Sequence, residues 1–258
     1  MEINEIVNEL IQAEETRKPI SHLAKLYPNM TVDQAYQIQL GVIQYKLNKG
    51  HKIVGKKIGL TSKAMQELIG VDEPDYGHLM NNMIHPNGSQ ISVGKYILPR
   101  IEFEIALVLK TDLVGPNVTI LDVMNAVDYV IPSFEIIDTR YTDWKIKLID
   151  TVADNGSSAG AVLGQIPTKL EGLNLQTLGM VAYKNGEIID TAAGAAVLGN
   201  PLNSVAWLAN ALSKYGVKLK AGEVILAGAL SKAVDVVVGD TFRAEFDHLG
   251  CIEVSFTE

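Results

Sequence analysis

The chain has 258 residues, of which 47% are hydrophobic and 20% are charged, and its formal net charge is −8. This length suits one large domain, or one domain with a small accessory region, and the composition excludes a disordered or fibrous protein. The negative charge and the absence of a basic segment argue against a nucleic-acid partner. We find no apolar stretch of membrane-spanning length and no secretory signal, so we expect no membrane partner and a cytoplasmic location. The single cysteine, Cys251, fits a reducing compartment and is interpreted as a small core residue.

The first fifty residues are predicted to be helical. Residues 2–16 form a charged amphipathic segment, and the stretch from Thr31 to Gln34 resembles a capping box that opens a second helix. Period-2 patterns then predict strands at 53–60, 98–110, 130–137, 179–184, 223–228, 233–238, 241–246 and 251–256. Helices are predicted near 62–70, 120–127 and 203–215. We therefore expect an α+β or mostly-β fold, with a helical region (1–50) packed on a main domain (51–258) whose sheets curl around a pocket.

Glu102 and Glu104 are two acids inside a strand-like apolar run, 98–109. Residues two apart on a strand project from the same face, about 7 Å apart, so both carboxylates are expected to point the same way. Glu135 lies in a second apolar segment, 130–137. Three carboxylates held together repel one another unless a cation or shared protons intervene, and magnesium and manganese prefer oxygen ligands. The alternative is the solvated face of an amphipathic strand, with Arg100 on the same side.

A lysine flanked by glycines marks the segment 53–62. Gly55, Lys57 and Gly59 share one strand face, while Lys56 lies on the other. The glycines leave room for a ligand, so Lys57 is a candidate to hold a substrate carboxylate or donate a proton. A pair of solvated lysines is the alternative interpretation.

Three loops offer further candidates. Asp75 lies in a segment, 71–77, whose proline and glycine first indicate a turn, and it is also a candidate acid or base. The small-residue loop 151–160 suits carboxylate binding through backbone N–H groups, and so does the glycine turn near residue 228. Plain surface loops explain these patterns equally well.

Five segments in consistent order resemble the 2-keto-4-pentenoate hydratase / 4-oxalocrotonate decarboxylase family of the fumarylacetoacetate-hydrolase-like superfamily. They are GKKIGLTS (55–62), PDYG (74–77), PRIEFEIA (99–106), DTVADN (150–155) and GAAVLG (194–199). The resemblance implies a mixed β-roll with peripheral helices. It further implies a homo-oligomer, and it leaves open an association with the partner enzyme of the same pathway, the catabolism of aromatic compounds.

The resemblance also implies roles for particular residues. A magnesium or manganese ion is expected on three metal ligands, Glu102, Glu104 and Glu135, with Lys57 and Asp75 as catalytic residues. A small 2-oxo acid is expected to contact substrate-binding residues, namely Leu60, Arg100, Asp154, Asn155, Ser158, Gly228 and Leu230. The chain departs from the family pattern at Asn200, where a histidine is usual, and at Ala227, where a threonine or serine is usual.

Two lyase activities share these residues. The segments 143–147, 63–66 and 74–77 resemble the hydratases, whereas 138–141 and 231–234 resemble relatives that act on dicarboxylates. We place a hydratase acting on 2-hydroxypenta-2,4-dienoate slightly ahead of a 4-oxalocrotonate (2-oxo-3-hexenedioate) decarboxylase. Two alternatives lie outside the lyases. A C–C hydrolase of the superfamily would need a water molecule activated by a histidine. A non-catalytic acid-binding assembly protein would have no need to retain the glutamates.

Overall fold

The computed structural model describes residues 2–63, 66–67 and 70–258 and contains two β-sheets with helices around them. The helices described are α1 (Ile3–Thr16), α2 (Leu23–Leu26), α3 (Val32–Asn48), α4 (Ile120–Ala126), α5 (Leu148–Ala153) and α6 (Pro201–Ser213). The capping box of Thr31 and Gln34 is confirmed at the start of α3. The helix predicted near 62–70 includes positions that lie outside the described residues.

The larger sheet contains the strands that carry most of the predicted site. Its members are β1 (Ile53–Gly59), β2 (Asp75–Met80), β3 (Ile84–Pro86), β5 (Arg100–Leu109), β6 (Val127–Ile137), β7 (Ser158–Leu163), β10 (Val224–Ala229) and β11 (Val234–Asp235). Their order is β2-β1-β10-β5-β6-β7-β3, with β11 paired to the start of β5. The central pair β5 and β6 is antiparallel, which sets side chains of the two strands directly opposite one another.

The second sheet closes the core from the other side. It contains β4 (Gln90–Ser92), β8 (Gly179–Lys184), β9 (Glu187–Ala193), β12 (Thr241–Phe246) and β13 (Gly250–Thr257), in the order β4-β13-β12-β8-β9. Phe103 on β5 meets Phe134 edge-on at 5.4 Å between ring centroids, and it meets Phe242 on β12 at 6.5 Å. These aromatic contacts join the two sheets into one hydrophobic core.

The N-terminal helices belong to this same core rather than lying on its surface. Ile38 and Val42 of α3 are buried in the cluster that contains Phe103. The amide of the fully buried Gln39 side chain donates to the carbonyls of Tyr76 on β2 (3.0 Å) and Val152 on α5 (2.8 Å). No helix in the described part of the chain is long and apolar enough to cross a membrane.

Two expectations from the sequence are corrected here. Cys251 is exposed, because the buried residues of β13 are Ile252, Val254 and Phe256, and alternation turns the odd positions outward. Asp75 does not lie in a turn but begins β2, a strand buried along its whole length. Its mixture of polar and small residues gave no alternation to recognise, since both faces of β2 are covered.

Candidate metal centre and active site

Strands β5 and β6 bring three glutamates together. Glu102 is the direct partner of Glu135 across the two strands, and Glu104 lies opposite Ser133. One carboxylate oxygen from each of the three lies within 4.8 Å of the others. Glu104 and Glu135 have 0% relative exposure, so the interpretation of this face as a solvated strand surface is wrong. The side chains that the sequence indicated as a group are therefore adjacent in space.

The carboxylates lack enough hydrogen-bond donors for their burial. Gly228 N–H donates to Glu104 Oε2 at 2.8 Å, but Glu104 Oε1 accepts no hydrogen bond from the described residues. The donors beside the Glu135 carboxylate are the side chains of Lys57 and Ser158. Burial raises the pKa of Glu104 well above its usual value, and the charges of Glu135 and Glu102 raise it further. Burial also raises the pKa of Glu135 to about 7, although the ammonium of Lys57 acts in the opposite direction.

These features fit a hard divalent cation. Unpaired buried carboxylate oxygens are costly unless a positive charge compensates them, and oxygen ligands are those that magnesium, manganese and calcium prefer. The partial exposure of Glu102 leaves the cluster open on one side, toward the cavity described below. Glu102, Glu104 and Glu135 are thus suited to hold a cation that keeps free positions for a substrate.

Lys57 supplies a positive charge next to the cluster. Its Nζ lies 3.3 Å from Glu135 Oε2, and its side chain is buried. Burial by itself lowers the pKa of Lys57, but the carboxylates of Glu135 and Asp75 outweigh it and raise that pKa above its usual value. Lys57 is therefore a fixed ammonium group at the edge of the glutamate cluster.

A glycine on β1, which has no side chain, allows Lys57 and Asp75 to approach each other. Gly59 pairs with Asp75 across β1 and β2, and a Cβ on Gly59 would lie 2.2 Å from Asp75 Oδ1 and 3.1 Å from Lys57 Nζ. The space that the glycine leaves is thus occupied by two functional groups. Asp75 is 1% exposed, and its Oδ2 accepts a hydrogen bond from Thr151 Oγ1 at 3.0 Å. Its Oδ1 has no hydrogen-bond partner among the described residues, so it remains available as an acceptor.

A cavity of about 770 Å³ opens in front of these groups. Among the residues singled out from the sequence, its lining includes Lys57, Leu60, Asp75, Arg100 and Glu102. The lining also contains residues that the sequence analysis did not name as site residues, namely Trp144, Lys145, Lys147, Thr151, Ser231 and Lys232. The segments 143–147 and 231–234 were connected only with the choice between relatives, and nothing in their local pattern shows that they meet at one cavity.

Asp154 and Asn155 do not line the cavity, contrary to expectation. Asp154 accepts hydrogen bonds from the backbone N–H of Arg140 at 3.0 Å and from its guanidinium, within a buried ion pair. Asn155 donates to the His78 carbonyl at 2.9 Å and accepts from the His78 N–H at 2.8 Å. Both side chains are thus used to hold the backbone that surrounds the site.

Ser158, Gly228 and Leu230 also lie behind the cavity rather than in its lining. Ser158 is buried on β7 next to the Glu135 carboxylate. Gly228 orients Glu104 through its N–H, and Leu230 is a buried residue whose N–H donates to the Phe103 carbonyl at 2.9 Å. In this structure these three residues adjoin the glutamate cluster and the strand that carries Glu102 and Glu104.

Lys56 is not a solvated partner of Lys57, as the alternative interpretation of this segment required. Its Nζ lies 2.8 Å from both carboxylate oxygens of Glu223, and both residues are buried. The two lysines point to opposite faces of β1, as the strand period predicted.

Comparisons with known proteins agree with this geometry. The model of the family described as "Fumarylacetoacetate (FAA) hydrolase C-terminal" matches residues 56–257. The chain is 43% identical over 257 residues to 2-oxo-hept-4-ene-1,7-dioate hydratase of Escherichia coli, covering 97% of this chain and 96% of the relative. It is 44% identical over 252 residues to 2-keto-4-pentenoate hydratase of Paraburkholderia xenovorans (strain LB400), covering 98% and 94%.

A solved relative shows the same fold at high similarity. The 4-oxalocrotonate decarboxylase from Pseudomonas putida G7, complexed with magnesium and adipate, superposes with a TM-score of 0.96 and is 40% identical, over 98% of this chain and 97% of that chain. The expected mixed fold with peripheral helices is thereby confirmed. With matched sequences and a matched fold along nearly its whole length, the chain belongs to the fumarylacetoacetate hydrolase family, within the group of hydratases and decarboxylases indicated by its five sequence segments.

Proposed function

We propose that the chain is a divalent-metal-dependent lyase that hydrates 2-hydroxypenta-2,4-dienoate to 4-hydroxy-2-oxopentanoate. The observation that carries this proposal is the cluster of Glu102, Glu104 and Glu135, whose buried oxygens have fewer hydrogen-bond donors than they can accept and which borders a cavity through Glu102. The similarity to a 2-keto-4-pentenoate hydratase supports the choice of reaction.

The three glutamates would hold a magnesium or manganese ion. When bound, such an ion supplies Lewis acidity toward the carboxylate and 2-oxo oxygens of a 2-oxo acid. Lys57 places its ammonium beside the same cluster, where it binds the substrate carboxylate and stabilises negative charge that develops on the 2-oxygen. Because burial and neighbouring carboxylates fix this charge before the substrate arrives, little reorganisation is needed during the reaction.

Asp75 is the candidate proton carrier. The reaction removes the enol proton of the substrate, adds a proton at carbon 5, and then adds water, with hydroxyl at carbon 4 and a proton at carbon 3. Asp75 Oδ1 has no hydrogen-bond partner, whereas Thr151 holds Oδ2 at 3.0 Å and fixes the orientation of the carboxylate. Asp75 can therefore accept the enol proton and return it to carbon.

A decarboxylase acting on 2-oxo-3-hexenedioate is the second candidate. Its support is the solved decarboxylase with a TM-score of 0.96. In that reaction the carboxylate at carbon 6, which is remote from the 2-oxo group, leaves as carbon dioxide. Lys57 would stabilise the negative charge that remains on the substrate.

One experiment separates the candidates. The purified protein is given 2-hydroxypenta-2,4-dienoate or 2-oxohex-3-enedioate with magnesium, and the products are identified by NMR. Formation of 4-hydroxy-2-oxopentanoate supports the hydratase, and carbon dioxide release from the dioate supports the decarboxylase. EDTA should abolish either activity, and magnesium or manganese should restore it. Full turnover in a thoroughly chelated sample would overturn the metal-dependent assignment.

The protein is also expected to form a homo-oligomer. Ile188, Val237 and Val238 are apolar residues with exposures of 63%, 57% and 52%. Size-exclusion chromatography with light scattering measures the subunit number, and co-purification from cells tests for association with a pathway partner. A monomer at micromolar concentration would contradict the first expectation.

A further inference from the structure

A second cavity, which we call the back cavity, lies behind the strand that carries Lys57. Its volume is about 630 Å³, and its lining shares no residue with that of the cavity in front of the glutamates. Strand β1 separates the two cavities, because Lys56 lines the one and Lys57 lines the other, and consecutive residues of a strand point to opposite faces. The proposed reaction therefore leaves the back cavity unused.

One wall of the back cavity is apolar. Its residues come from α3 and from the start of β1, namely Leu40, Ile43, Leu47, Ile53 and Val54. Across the cavity, the segment after α6 adds Val217. Leu40 is 46% exposed and Val217 is 38% exposed, so both sides of the cavity present aliphatic surface to water. Covering this surface with an apolar group of a ligand is favourable.

The floor of the back cavity is polar and buried. It contains His78 and the ion pair of Lys56 and Glu223. Lys56 Nζ lies 2.8 Å from each Glu223 carboxylate oxygen, and it has no further hydrogen-bond partner within the described ranges. An ammonium group carries three hydrogens, and the two contacts use at most two of them. At least one donor of Lys56 therefore remains for a ligand.

The lining of the back cavity has an excess of positive charge. It holds three lysines, Lys56, Lys218 and Lys220, and a single carboxylate among the described residues, that of Glu223. Lys218 pairs with Asp112, which lies outside the lining, whereas Lys220 forms no ion pair in the described part of the chain. Burial lowers the pKa of Lys56, Glu223 opposes this, and the charge of Lys220 lowers it further. A further negative charge between Lys56 and Lys220 would thus be stabilised.

We propose that the back cavity is a second ligand site, and that its ligand is a monocarboxylic acid with an apolar body. The carboxylate is held by Lys56 and Lys220, and the apolar body lies against α3 and the start of β1. A neutral apolar ligand would leave the buried donor of Lys56 unpaired, and a strongly polar ligand such as a sugar phosphate would meet an aliphatic wall. The volume lies within the range of small-molecule sites in proteins. This ligand is a separate molecule from the substrate, so the inference does not rest on the proposed function.

A charged and a neutral probe with the same alkyl chain test the site. The magnesium-loaded protein is titrated calorimetrically with hexanoate and with hexanamide. We expect hexanoate to bind at least about tenfold more tightly, because a hydrogen bond to a charged group is stronger than one between neutral groups. The advantage should shrink in high salt. Binding of hexanoate should be the same when EDTA replaces magnesium, because the glutamate cluster is not part of the back cavity.

Variants at exposed positions then locate the binding without disturbing the core. Lys220→Gln should weaken hexanoate by about threefold to tenfold and change hexanamide much less. Leu40→Asp should weaken both probes, and hexanoate more, because it removes apolar surface and adds a repelling charge. The matched controls are Lys110→Gln and Leu121→Asp, exposed residues outside both cavities, which should leave both affinities unchanged. Lys232→Gln, in the front cavity, should also leave them unchanged.

Several outcomes would overturn this inference. Equal affinities for hexanoate and hexanamide would mean that the cavity takes up apolar chains without recognising a carboxylate. Loss of hexanoate binding with EDTA or in Lys232→Gln, together with unchanged binding in Lys220→Gln, would place the acid in the front cavity. Absence of hexanoate binding at millimolar concentration would also contradict the site. The lyase assignment is unaffected by any of these results, because it is tested with its own substrates and products.

Discussion

Two adjacent lysines on β1 have different neighbours and therefore different consequences when they are changed. Lys57 faces Glu135 of the glutamate cluster, whereas Lys56 faces away and pairs with the buried Glu223. Both charges are compensated, but only Lys57 has a carboxylate partner that would also bind a cation. The proposed role of Lys57 in the reaction can thus be tested separately from the contribution of Lys56 to stability.

Replacing Lys57 with methionine should lower kcat by about 10²–10³, because the change removes one preorganised charge while keeping the length of the side chain. Steady-state kinetics with magnesium measures the effect. Lys52→Met, an exposed position that precedes β1, is the control and should keep wild-type kcat. Unchanged kcat in Lys57→Met would contradict the proposed role.

Lys56→Met cannot serve as that control. Removing one partner of a buried pair leaves Glu223 uncompensated, which typically costs about 3–5 kcal/mol of stability. The loss would appear in the free energy of unfolding rather than in the chemistry of the remaining folded protein.

Glu104→Gln should weaken binding of magnesium strongly and leave the protein folded. The amide keeps the shape of the side chain and can accept the Gly228 N–H, while one charge of a repelling group of three is removed. Calorimetric titration with magnesium measures the affinity, and urea unfolding measures stability. An unfolded variant, or one with unchanged metal affinity, would mean that Glu104 has a structural role only.

The three glutamates and Lys57 could be recognised from the sequence because charged residues interrupt apolar strands there. The ion pair of Arg140 and Asp154 could not, because each residue lies in a polar loop where a free side chain is equally compatible with the pattern. Both side chains are nonetheless buried in the folded protein, at 4% and 5% relative exposure. Sequence reasoning therefore grouped the three glutamates and Lys57, but it did not foresee the buried ion pair of Arg140 and Asp154.

Among the elements, the turn after α5 has an unusual backbone. Asn155, Gly156 and Ser157 follow one another with φ values of 56°, 60° and 60°, all in the left-handed region. A Cβ on Gly156 would lie 3.2 Å from Lys57 Cδ, so the turn packs directly against the functional lysine. Successive left-handed residues are strained. The two hydrogen bonds between the Asn155 side chain and the His78 backbone compensate for that strain.

Asn155→Ala should lower the free energy of unfolding by about 2–4 kcal/mol, because two buried backbone groups of His78 lose their partners. It should also lower kcat, since β2 carries Asp75. The control is Asn117→Ala, which has a φ of 71° but makes no hydrogen bond through its side chain with the described residues, and it should cost clearly less. Equal destabilisation in the two variants would show that backbone strain alone explains the effect.

The elements that the sequence predicted are those with a visible period. Strand β5 alternates and was found, whereas β2 is buried on both faces and begins with Asp75, a residue that disfavours strands. The predicted strand at 233–238 shrinks to the two residues of β11, because only Val234 and Asp235 find a partner in β5. Local preference identifies candidate strands, but pairing decides where each one ends.

At the scale of the whole molecule, stability should depend on the ionisation of His78. Burial, reinforced by the charge of Lys56, lowers the pKa of His78 to about 4. Its Nδ1–H donates to Gln39 Oε1 at 3.1 Å, since the Gln39 amide nitrogen is committed to two carbonyls. The folded protein thus keeps this histidine neutral at pH values where the unfolded chain protonates it.

Because folding lowers the pKa of His78, the neutral histidine contributes to the free energy of unfolding. That contribution is complete above pH 6.5 and is lost as the pH falls toward 4. Between pH 7 and pH 5 the loss from His78 should be about 2 kcal/mol. Urea unfolding of the wild type and of His78→Asn at a series of pH values measures it, and the two stabilities should converge on acidification. Parallel pH profiles would show that His78 does not titrate as described.

The fully buried amide of Gln39 has a consequence for anyone who shortens this chain. The family model matches residues 56–257, although the similarity to individual relatives extends over 97% to 98% of the chain. Gln39 ties the strand that carries Asp75 to the helix that carries Thr151, so a fragment starting at residue 56 would lose a link between the two partners of that hydrogen bond. We therefore expect a fragment of residues 56–257 to be less stable and less active than the full chain, although the N-terminal helices contribute no group to the proposed reaction.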